Sequence, residues 1–250
     1  MKQTIKNYFE EVKILLRSLP SGVFGCFVTA LFAMNLLANK SISLPWENWA
    51  LDCGIILSWA VFLAMDVITK HYGPRAATQI SCVAAAINLG FCVMLFLGSL
   101  IPGEWSQSFV FGSEQTINDA LDKTFGGTWY VLLGSTVAFV VSAAINNFTN
   151  WGIGKLFKKN PDGVAAYASR TYVSTAVAQF ADNLIFALIV SHFFFGWSIT
   201  QCVTCAATGM AAELLFEIVF SFFGFRTCKK WKEQQVGEQY FRFMEAKKSK

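Results

Sequence analysis

Six apolar segments, each near 20 residues long, constrain this chain more than any other feature of its sequence. They lie at 22–38, 49–68, 78–101, 128–148, 172–195 and 199–225. A helix of about 20 apolar residues crosses the roughly 30 Å hydrocarbon core of a bilayer. With 54% hydrophobic residues, 14% charged residues and a mean hydropathy of +0.46, the 250-residue chain is too apolar for a water-soluble domain. The sequence predicts an all-α integral membrane protein with six transmembrane helices.

The two ends of the chain differ in composition from the apolar region between them. Before Pro20, apolar residues recur at helical spacing with four basic residues interleaved. This pattern is typical of an interfacial amphipathic helix, and the interleaved charges argue against a signal peptide. We therefore divide the chain into an amphipathic cytoplasmic helix, a transmembrane transport domain and a basic cytoplasmic tail, at 1–20, 21–226 and 227–250.

Lysines and arginines fall on alternate sides of the predicted spans. If the N-terminus is cytoplasmic, the successive cytoplasmic segments carry four, two, four and eight of them, and these make up 18 of the chain's 20. Only Lys40 and Lys123 fall on the outer side. Cytoplasmic loops of membrane proteins are enriched in positive charge. The distribution predicts cytoplasmic N- and C-termini.

The fifth span carries a polar stripe into an otherwise apolar helix. Thr175, Gln179 and Asp182 share one face at about 100° per residue. Ser174 lies at the edge of this face, and Arg170 precedes it. Polar and ionisable groups at bilayer depth are costly, and they commonly mark substrate or ion pathways. We therefore interpret these five residues as candidate site residues.

Two glutamates lie one turn apart in the sixth span, at Glu213 and Glu217. Like charges at this spacing repel, and in hydrocarbon each needs a partner or a proton. In one interpretation Arg170, Lys70 or Arg75 neutralises them as structural ion pairs. In the other, one glutamate binds a cationic or amidine-like group of a substrate, or carries a coupling proton.

Two further candidates come from the second and fourth spans. Asp66 lies four residues before Lys70, so the two can pair at a helix end, or Asp66 can belong to the site. Asn146 begins a group of three amides with Asn147 and Asn150. These amides can satisfy a helix end or face a cavity, and their spacing does not distinguish the two. We include Asp66 and Asn146 among the candidate site residues.

The chemistry of this residue set favours transport over catalysis. Carboxylates, amides and hydroxyls dominate it, which suits a small planar solute presenting several N–H groups. The chain lacks the GxxxxGK[ST], HExxH and GxSxG motifs, and its only histidines are His71 and His192. Cys202 and Cys205 form a CxxC without a second pair. We therefore predict a carrier or channel that is not an enzyme and that uses no cofactor or metal.

The same residues give the chain a resemblance to the queuosine precursor transporter family, within the vitamin uptake transporter group. It covers about 27–225 and rests on Asn-Leu-Leu-Ala-Asn-Lys at 35–40, on the segment from Asp66 to Ala77, and on Arg-Thr-Tyr-Val-Ser-Thr at 170–175 with Gln179 and Asp182. The family commonly has an acidic residue where this chain has Lys70. If Lys70 pairs with Asp66 or Glu217 instead, the substrate range changes.

The resemblance implies a multi-pass transporter in the bacterial inner membrane. Its substrates would be 7-cyano-7-deazaguanine, 7-aminomethyl-7-deazaguanine or queuine, imported for salvage into tRNA modification, without direct contact with nucleic acid. A homodimer is also a family-level expectation. Asp182, Glu213 or Glu217 could accept the N1–H and 2-amino groups of the base, while Gln179 or an asparagine reads its carbonyl.

Several alternatives stay open at this point. The chain could be a facilitator or a proton symporter, or it could carry another small heterocyclic solute. It could also be the substrate-binding subunit of an ATP-driven vitamin importer, which would need a coupling subunit and ATPases for uptake. A non-transporting assembly or receptor protein is the third possibility.

Overall fold

The structure, a computed structural model, describes residues 2–46, 49–103, 114–126, 129–157, 163–193 and 196–248. It begins with two helices, α1 at Lys2–Ser18 and α2 at Ser21–Leu37. Pro20 lies between them, and the chain bends there by 105°. A proline lacks the N–H group that would continue a helix, so a break at this position is expected. Helix α1 thus ends two residues before Pro20, and the division of the chain into domains stays a prediction.

A short β-hairpin follows α2 and corrects the predicted start of the second span. Strand β1 at Ser41–Ser43 pairs antiparallel with β2 at Ala50–Asp52, with Ser41 opposite Asp52. Helix α3 then runs over Ile55–Tyr72, not over 49–68 as predicted. The apolar residues after 49 are extended because they pair with β1. The described part of the chain is therefore helical apart from one two-stranded sheet.

The middle of the chain forms three further helices: α4 at Pro74–Ser99, α5 at Glu114–Phe125 and α6 at Trp129–Gly154. Gly73 joins α3 to α4 with a φ of +90°, a conformation that a side chain would strain. A 3₁₀ turn at Lys155–Phe157 follows α6. Most of the loop predicted on the outer side before α5, 104–113, lies outside the described residues.

The last helices form the predicted antiparallel hairpin. Helix α7 spans Val164–Phe186 and continues as a π-helical segment at Ala187–His192. After a tight turn that includes Gly196, with a φ of +70°, α8 runs over Ile199–Glu233 and packs along α7. Ser198 and Gln201 form a capping box at the start of α8. Helix α9 at Glu238–Lys248 ends the described chain.

Helix length and composition support a multi-pass membrane protein. Four segments of the described chain are long and apolar enough to cross a bilayer: α3, α4, α7 with its π-helical continuation, and α8. The number rises to six if each of two bent helix pairs is one span, namely α1 with α2 and α5 with α6. The structure thus supports four to six spans, and the count of six remains a prediction.

The two ends of the helical body are built differently. At one end, which we call the terminal end, α1 and α9 pack together beside the α3–α4 turn. Here the buried Glu11 pairs with Arg75 and Lys247, at 2.8 and 2.6 Å, and Gln79 Nε2 donates to it at 3.0 Å. At the opposite end, which we call the hairpin end, the β-hairpin lies beside the turn between α7 and α8.

Candidate substrate-binding site

The polar stripe of α7 is buried inside the helix bundle. Ser174, Thr175 and Gln179 are fully buried, and Asp182 is partly exposed. Helix α7 packs against α6 and α8, and it also contacts α3. The structure therefore brings the predicted residues of four helices into one polar group.

Asp66 of α3 is the centre at which three helices meet. One of its oxygens accepts hydrogen bonds from Asn146 Nδ2 at 2.8 Å, Asn150 Nδ2 at 2.9 Å and Ser174 Oγ at 3.3 Å. Its other oxygen accepts from Thr175 Oγ1 at 3.4 Å. Four donors from α6 and α7 thus surround a carboxylate that is fully buried. Such a network holds Asp66 in place and joins α3 to both helices.

Arg170 reaches this centre through an amide. Its Nη2 and Nε donate to Asn150 Oδ1 at 2.8 and 3.1 Å, and Nε also reaches the backbone carbonyl of Asn150 at 3.2 Å. Asn150 in turn donates to Asp66. The guanidinium therefore orients the amide that binds the carboxylate, from the terminal-end side of the site.

Glu217 of α8 lies beside Asp66 and Thr175 and interacts with both. The side chain is fully buried. Among the described residues, no donor of normal geometry reaches either of its carboxylate oxygens. Unsatisfied buried acceptors are rare in proteins and costly, so each one calls for an explanation. Glu217 has the capacity to accept two hydrogen bonds from a ligand.

Gln179, one turn after Thr175 on α7, is also buried without hydrogen-bond partners of normal geometry among the described residues. It is fully buried, and neither Oε1 nor Nε2 has a hydrogen-bond partner in the described part of the chain. Asn146 Oδ1 is likewise without a donor there. Because Thr175 adjoins Glu217 and Asn183 adjoins Glu213, helical spacing places Gln179 between these two contacts of α7 with α8.

A second acidic centre lies closer to the hairpin end. Glu213 accepts from Ser58 Oγ of α3 and from Asn183 Nδ2 of α7, the latter at 3.1 Å. Asp182 accepts from Ser142 Oγ of α6 at 2.6 Å, and it interacts electrostatically with Glu213. The two centres together line the interior of the bundle along α7 and α8.

The structural ion pairs considered from the sequence are wrong. No lysine or arginine in the described ranges lies within 4 Å of a carboxylate oxygen of Asp66, Asp182, Glu213 or Glu217. Lys70 extends away from Asp66, and its Nζ lies 4.8 and 5.8 Å from the ring centroids of Tyr167 and Phe225, a cation–π arrangement. Arg75 pairs with Glu11 instead, outside the site.

Two cavities lie at opposite ends of the polar group. A cavity of about 810 Å³ at the terminal end is lined by Lys70 and Phe225, which follow Asp66 and Glu217 along their helices. A cavity of about 200 Å³ at the hairpin end is lined by Asp52 and Trp197, among others. Asp52 interacts electrostatically with Asp182 and Glu213. The buried site thus lies between the two openings.

Sequence reasoning did not select several residues that the structure places in the site. Ser58, Ser142 and Asn183 supply donors to the second acidic centre, and Asn150 links Arg170 to Asp66. A hydroxyl within an apolar span carries little signal, because serine is common at helix contacts in membranes. Asn150 belonged to the noted group of amides, which was the available signal. No group of three His, Cys, Asp or Glu side chains suited to a metal ion occurs within the described segments.

Comparisons with known proteins identify the family of this chain. A family model described as "Putative vitamin uptake transporter" matches residues 52–226. A protein of Bacillus subtilis (strain 168) described as "Probable queuosine precursor transporter" is 29% identical over 170 residues, which cover 67% of this chain and 69% of that protein. No solved structure matches the chain. The family match runs from β2 through most of α8 and includes every site residue described above. The chain belongs to the vitamin uptake transporter family of multi-pass membrane proteins.

Proposed function

We propose that this protein is a bacterial inner-membrane carrier that imports queuosine precursors for salvage into tRNA modification. The substrates would be 7-cyano-7-deazaguanine, 7-aminomethyl-7-deazaguanine or queuine. The description of the Bacillus subtilis relative supports this substrate class. The observation that carries the proposal is the pair Gln179 and Glu217, whose buried polar atoms have no partner among the described residues.

The hydrogen-bonding edge of a guanine-like base suits these two residues. The base presents an N1–H and a 2-amino group side by side, with a carbonyl next to N1. A carboxylate accepts two parallel N–H bonds, and such charge-assisted bidentate contacts are strong. Glu217 supplies two open oxygens, and Gln179 Nε2 supplies a donor for the carbonyl. Of the three carboxylates considered from the sequence, Glu217 is the one with both oxygens unused.

The remaining candidate residues hold this arrangement in place. Asp66 is already satisfied by Asn146, Asn150, Ser174 and Thr175, so its role is to fix α3, α6 and α7 around the substrate. Asp182 and Glu213 each have one or two hydrogen-bond donors and lie nearer the hairpin end. They form an intermediate binding site that the base reaches before Glu217.

The charge distribution supports an orientation of the protein in the membrane. The basic residues concentrate at the terminal end, so we place this end in the cytoplasm, with six spans and both termini inside. The hairpin-end cavity then faces outward, and the larger cavity beside Lys70 faces the cytoplasm. A carrier with a central site and openings on both sides works by exposing the site to each side in turn.

Uptake of radiolabelled 7-cyano-7-deazaguanine into bacteria unable to make queuosine tests the proposal. The host should lack the ATPases of vitamin importers, and the variant is Gln179→Leu. Replacing an unpartnered buried amide by an apolar group of similar size is nearly neutral or stabilising. We therefore expect the variant to lose uptake while its melting temperature in detergent stays level or rises.

The control is Gln115→Leu, which changes an exposed glutamine of α5. It should transport like the wild type at equal protein in the membrane. Absence of uptake by correctly inserted wild type would refute the self-sufficient carrier, and recovery on adding importer ATPases would establish the subunit alternative. Full uptake by Gln179→Leu would remove Gln179 from the binding site.

A further inference from the structure

The cavity at the hairpin end is lined by residues that do not belong to the central site. Its volume is about 200 Å³, below the range of pockets for drug-sized ligands, so it suits a small solute. Its polar lining comes from Asp52, Asn39, Ser41 and Ser191, and its aromatic lining from Phe186 and Trp197. None of these six residues was a candidate from the sequence.

Asp52 is held in a fixed position at the end of β2. Its backbone pairs opposite Ser41, and its Oδ1 accepts a hydrogen bond from the Gly54 N–H at 2.7 Å. The described part of the chain places no lysine or arginine within 4 Å of this carboxylate. Burial raises the pKa of Asp52 to about 6, although the backbone N–H groups of Gly54 and Ile55 oppose the shift. At neutral pH the cavity therefore contains a carboxylate without a cationic partner.

The other polar groups add acceptors and a fixed aromatic wall. Asn39 Nδ2 donates to the Leu36 carbonyl at 3.0 Å, which leaves Asn39 Oδ1 as an acceptor. The backbone N–H of Trp197 donates to the Ser191 carbonyl at 3.0 Å, and the Trp197 carbonyl lies 2.6 Å from His192 Nδ1. These bonds hold the turn that carries the indole. Acceptors beside aromatic rings suit a planar ligand that is rich in donors or positively charged.

The cavity is also connected electrostatically to the buried site. Asp52 interacts with both Asp182 and Glu213, the acidic centre nearest the hairpin end. A ligand with a positive charge would move from one acidic group to the next on its way inward. A neutral ligand would gain less from the first group.

We propose that this cavity is an outer binding subsite, in which Asp52 binds the protonated amine of a compact planar base before the base reaches the central site. The inference rests on the proposed function and adds a specificity determinant to it. Of the substrates named above, 7-aminomethyl-7-deazaguanine carries such an amine and 7-cyano-7-deazaguanine does not. Asp52 therefore favours the aminomethyl base at low external concentration.

The test compares initial uptake of both bases by the wild type and by Asp52→Asn, at equal protein in the membrane. The KM for the aminomethyl base should rise about tenfold in the variant, which corresponds to losing roughly 1.4 kcal/mol of binding. The KM for the cyano base should stay within about twofold of wild type. Asp52→Glu keeps the charge and should preserve the preference, which guards against a purely structural effect of the amide.

The outcomes separate this inference from the proposed function. If the wild type imports neither base, the proposed function fails. If the wild type imports both but Asp52→Asn raises both KM values equally, or neither, the outer subsite is refuted while the carrier stands. Asp119→Asn, which neutralises an exposed carboxylate of α5, is the matched control and should leave both KM values unchanged.

Discussion

Buried carboxylates are held in opposite ways at the terminal end and in the middle of the bundle. Glu11, Asp66 and Glu217 are all fully buried. Glu11 is bound by two cations, Arg75 and Lys247, which come from α4 and α9. Asp66 is bound by amides and hydroxyls and lies beside Glu217, whose two oxygens no donor of normal geometry reaches among the described residues.

This difference in hydrogen-bond partners indicates different roles for Glu11 and for the carboxylates in the middle of the bundle. Two cations complete the hydrogen bonding of Glu11 and tie α1, α4 and α9 together, so its role is structural. Arg75 and Lys247 are themselves 59% and 38% exposed, which makes water a competing partner and moderates the gain. In the middle of the bundle, neutral donors fix Asp66, and the proposed function assigns the acceptors of Glu217 to the substrate. The following four substitutions or conditions test this contrast.

Glu217→Gln should have the largest effect, on transport. Two hydrogen bonds from the base to a carboxylate contribute about 3 kcal/mol or more, so their loss should reduce uptake roughly 100-fold. The protein should still insert and keep its melting temperature. Initial uptake of radiolabelled base measures this effect, and Glu245→Gln, on the exposed surface of α9, is the control. Normal uptake by Glu217→Gln would assign the base to another carboxylate.

Asp66→Asn should act on stability as well as transport. The new amide would place N–H donors against those of Asn146 and Asn150, and each unsatisfied buried group costs about 1–3 kcal/mol. We expect a loss of about 2–4 kcal/mol, seen as a lower melting temperature in detergent. If uptake falls while the melting temperature is unchanged, Asp66 contacts substrate directly and the division of roles from Glu217 is wrong.

Glu11→Gln should lower stability modestly and leave the KM for the base unchanged. Burial disfavours the charged Glu11, but hydrogen bonds from Lys247 and Gln79 and the charge of Arg75 outweigh it and lower the pKa of Glu11 below its ordinary 4.5. A lowered pKa means that the stabilisation is present above the unfolded-state pKa and is lost as pH falls through the folded-state value. The variant should be about 1–2 kcal/mol less stable at pH 7.

Melting curves of wild type and Glu11→Gln measured from pH 7 downward check this expectation. The two should converge as pH falls through the lowered folded-state pKa of Glu11, where the wild-type glutamate takes up its proton. A constant difference across this range would show that the ion pairs do not account for the stability of the terminal end.

External pH should have the smallest effect, through Asp52. With a pKa of about 6, the ionised fraction of Asp52 falls about tenfold between pH 7 and pH 5. Asp182, Glu213 and Cys205 are the titratable groups that face Asp52 across the cavity. The KM for the aminomethyl base should rise severalfold over this range in the wild type but not in Asp52→Asn. If the KM depends on pH equally in both proteins, Asp182 or Glu213 accounts for the pH dependence in place of Asp52.

The sequence predicted the polar cluster in the middle of the bundle better than the contacts around it, and its use as a binding site stays a prediction. Helical spacing placed Thr175, Gln179 and Asp182 on one face. The free-energy cost of placing a carboxylate in hydrocarbon made Glu213 and Glu217 candidates. Helical spacing depends only on neighbouring residues, and the cost of a charge in a bilayer depends only on its place in an apolar segment. Both can therefore be assessed from one sequence. The assignment of Glu217 to the substrate required knowing which acceptors already have donors. Those donors lie up to 155 residues away, as in the contact of Ser58 with Glu213.

Two errors from the sequence share one physical cause. Spacing along the chain allowed Lys70 to pair with Asp66, but tertiary packing turns Asp66 toward α6 and α7 and leaves Lys70 against aromatic rings. Asp52 was read as part of an apolar span, because the pairing of β2 with β1 is not visible in composition. In both cases long-range contacts overrode a local pattern.

The π-helical segment Ala187–His192 lies between the α-helical stripe of α7 and the turn to α8. Such a wide turn accommodates one more residue than an α-helical turn and often arises at functional sites. One residue corresponds to a rotation of about 100°. Deleting a residue from this segment would therefore leave the stripe from Ser174 to Asp182 in place and swing Ser191 away from the outer cavity. Changes in this short stretch could alter which solutes the outer cavity admits without altering how the central site binds them.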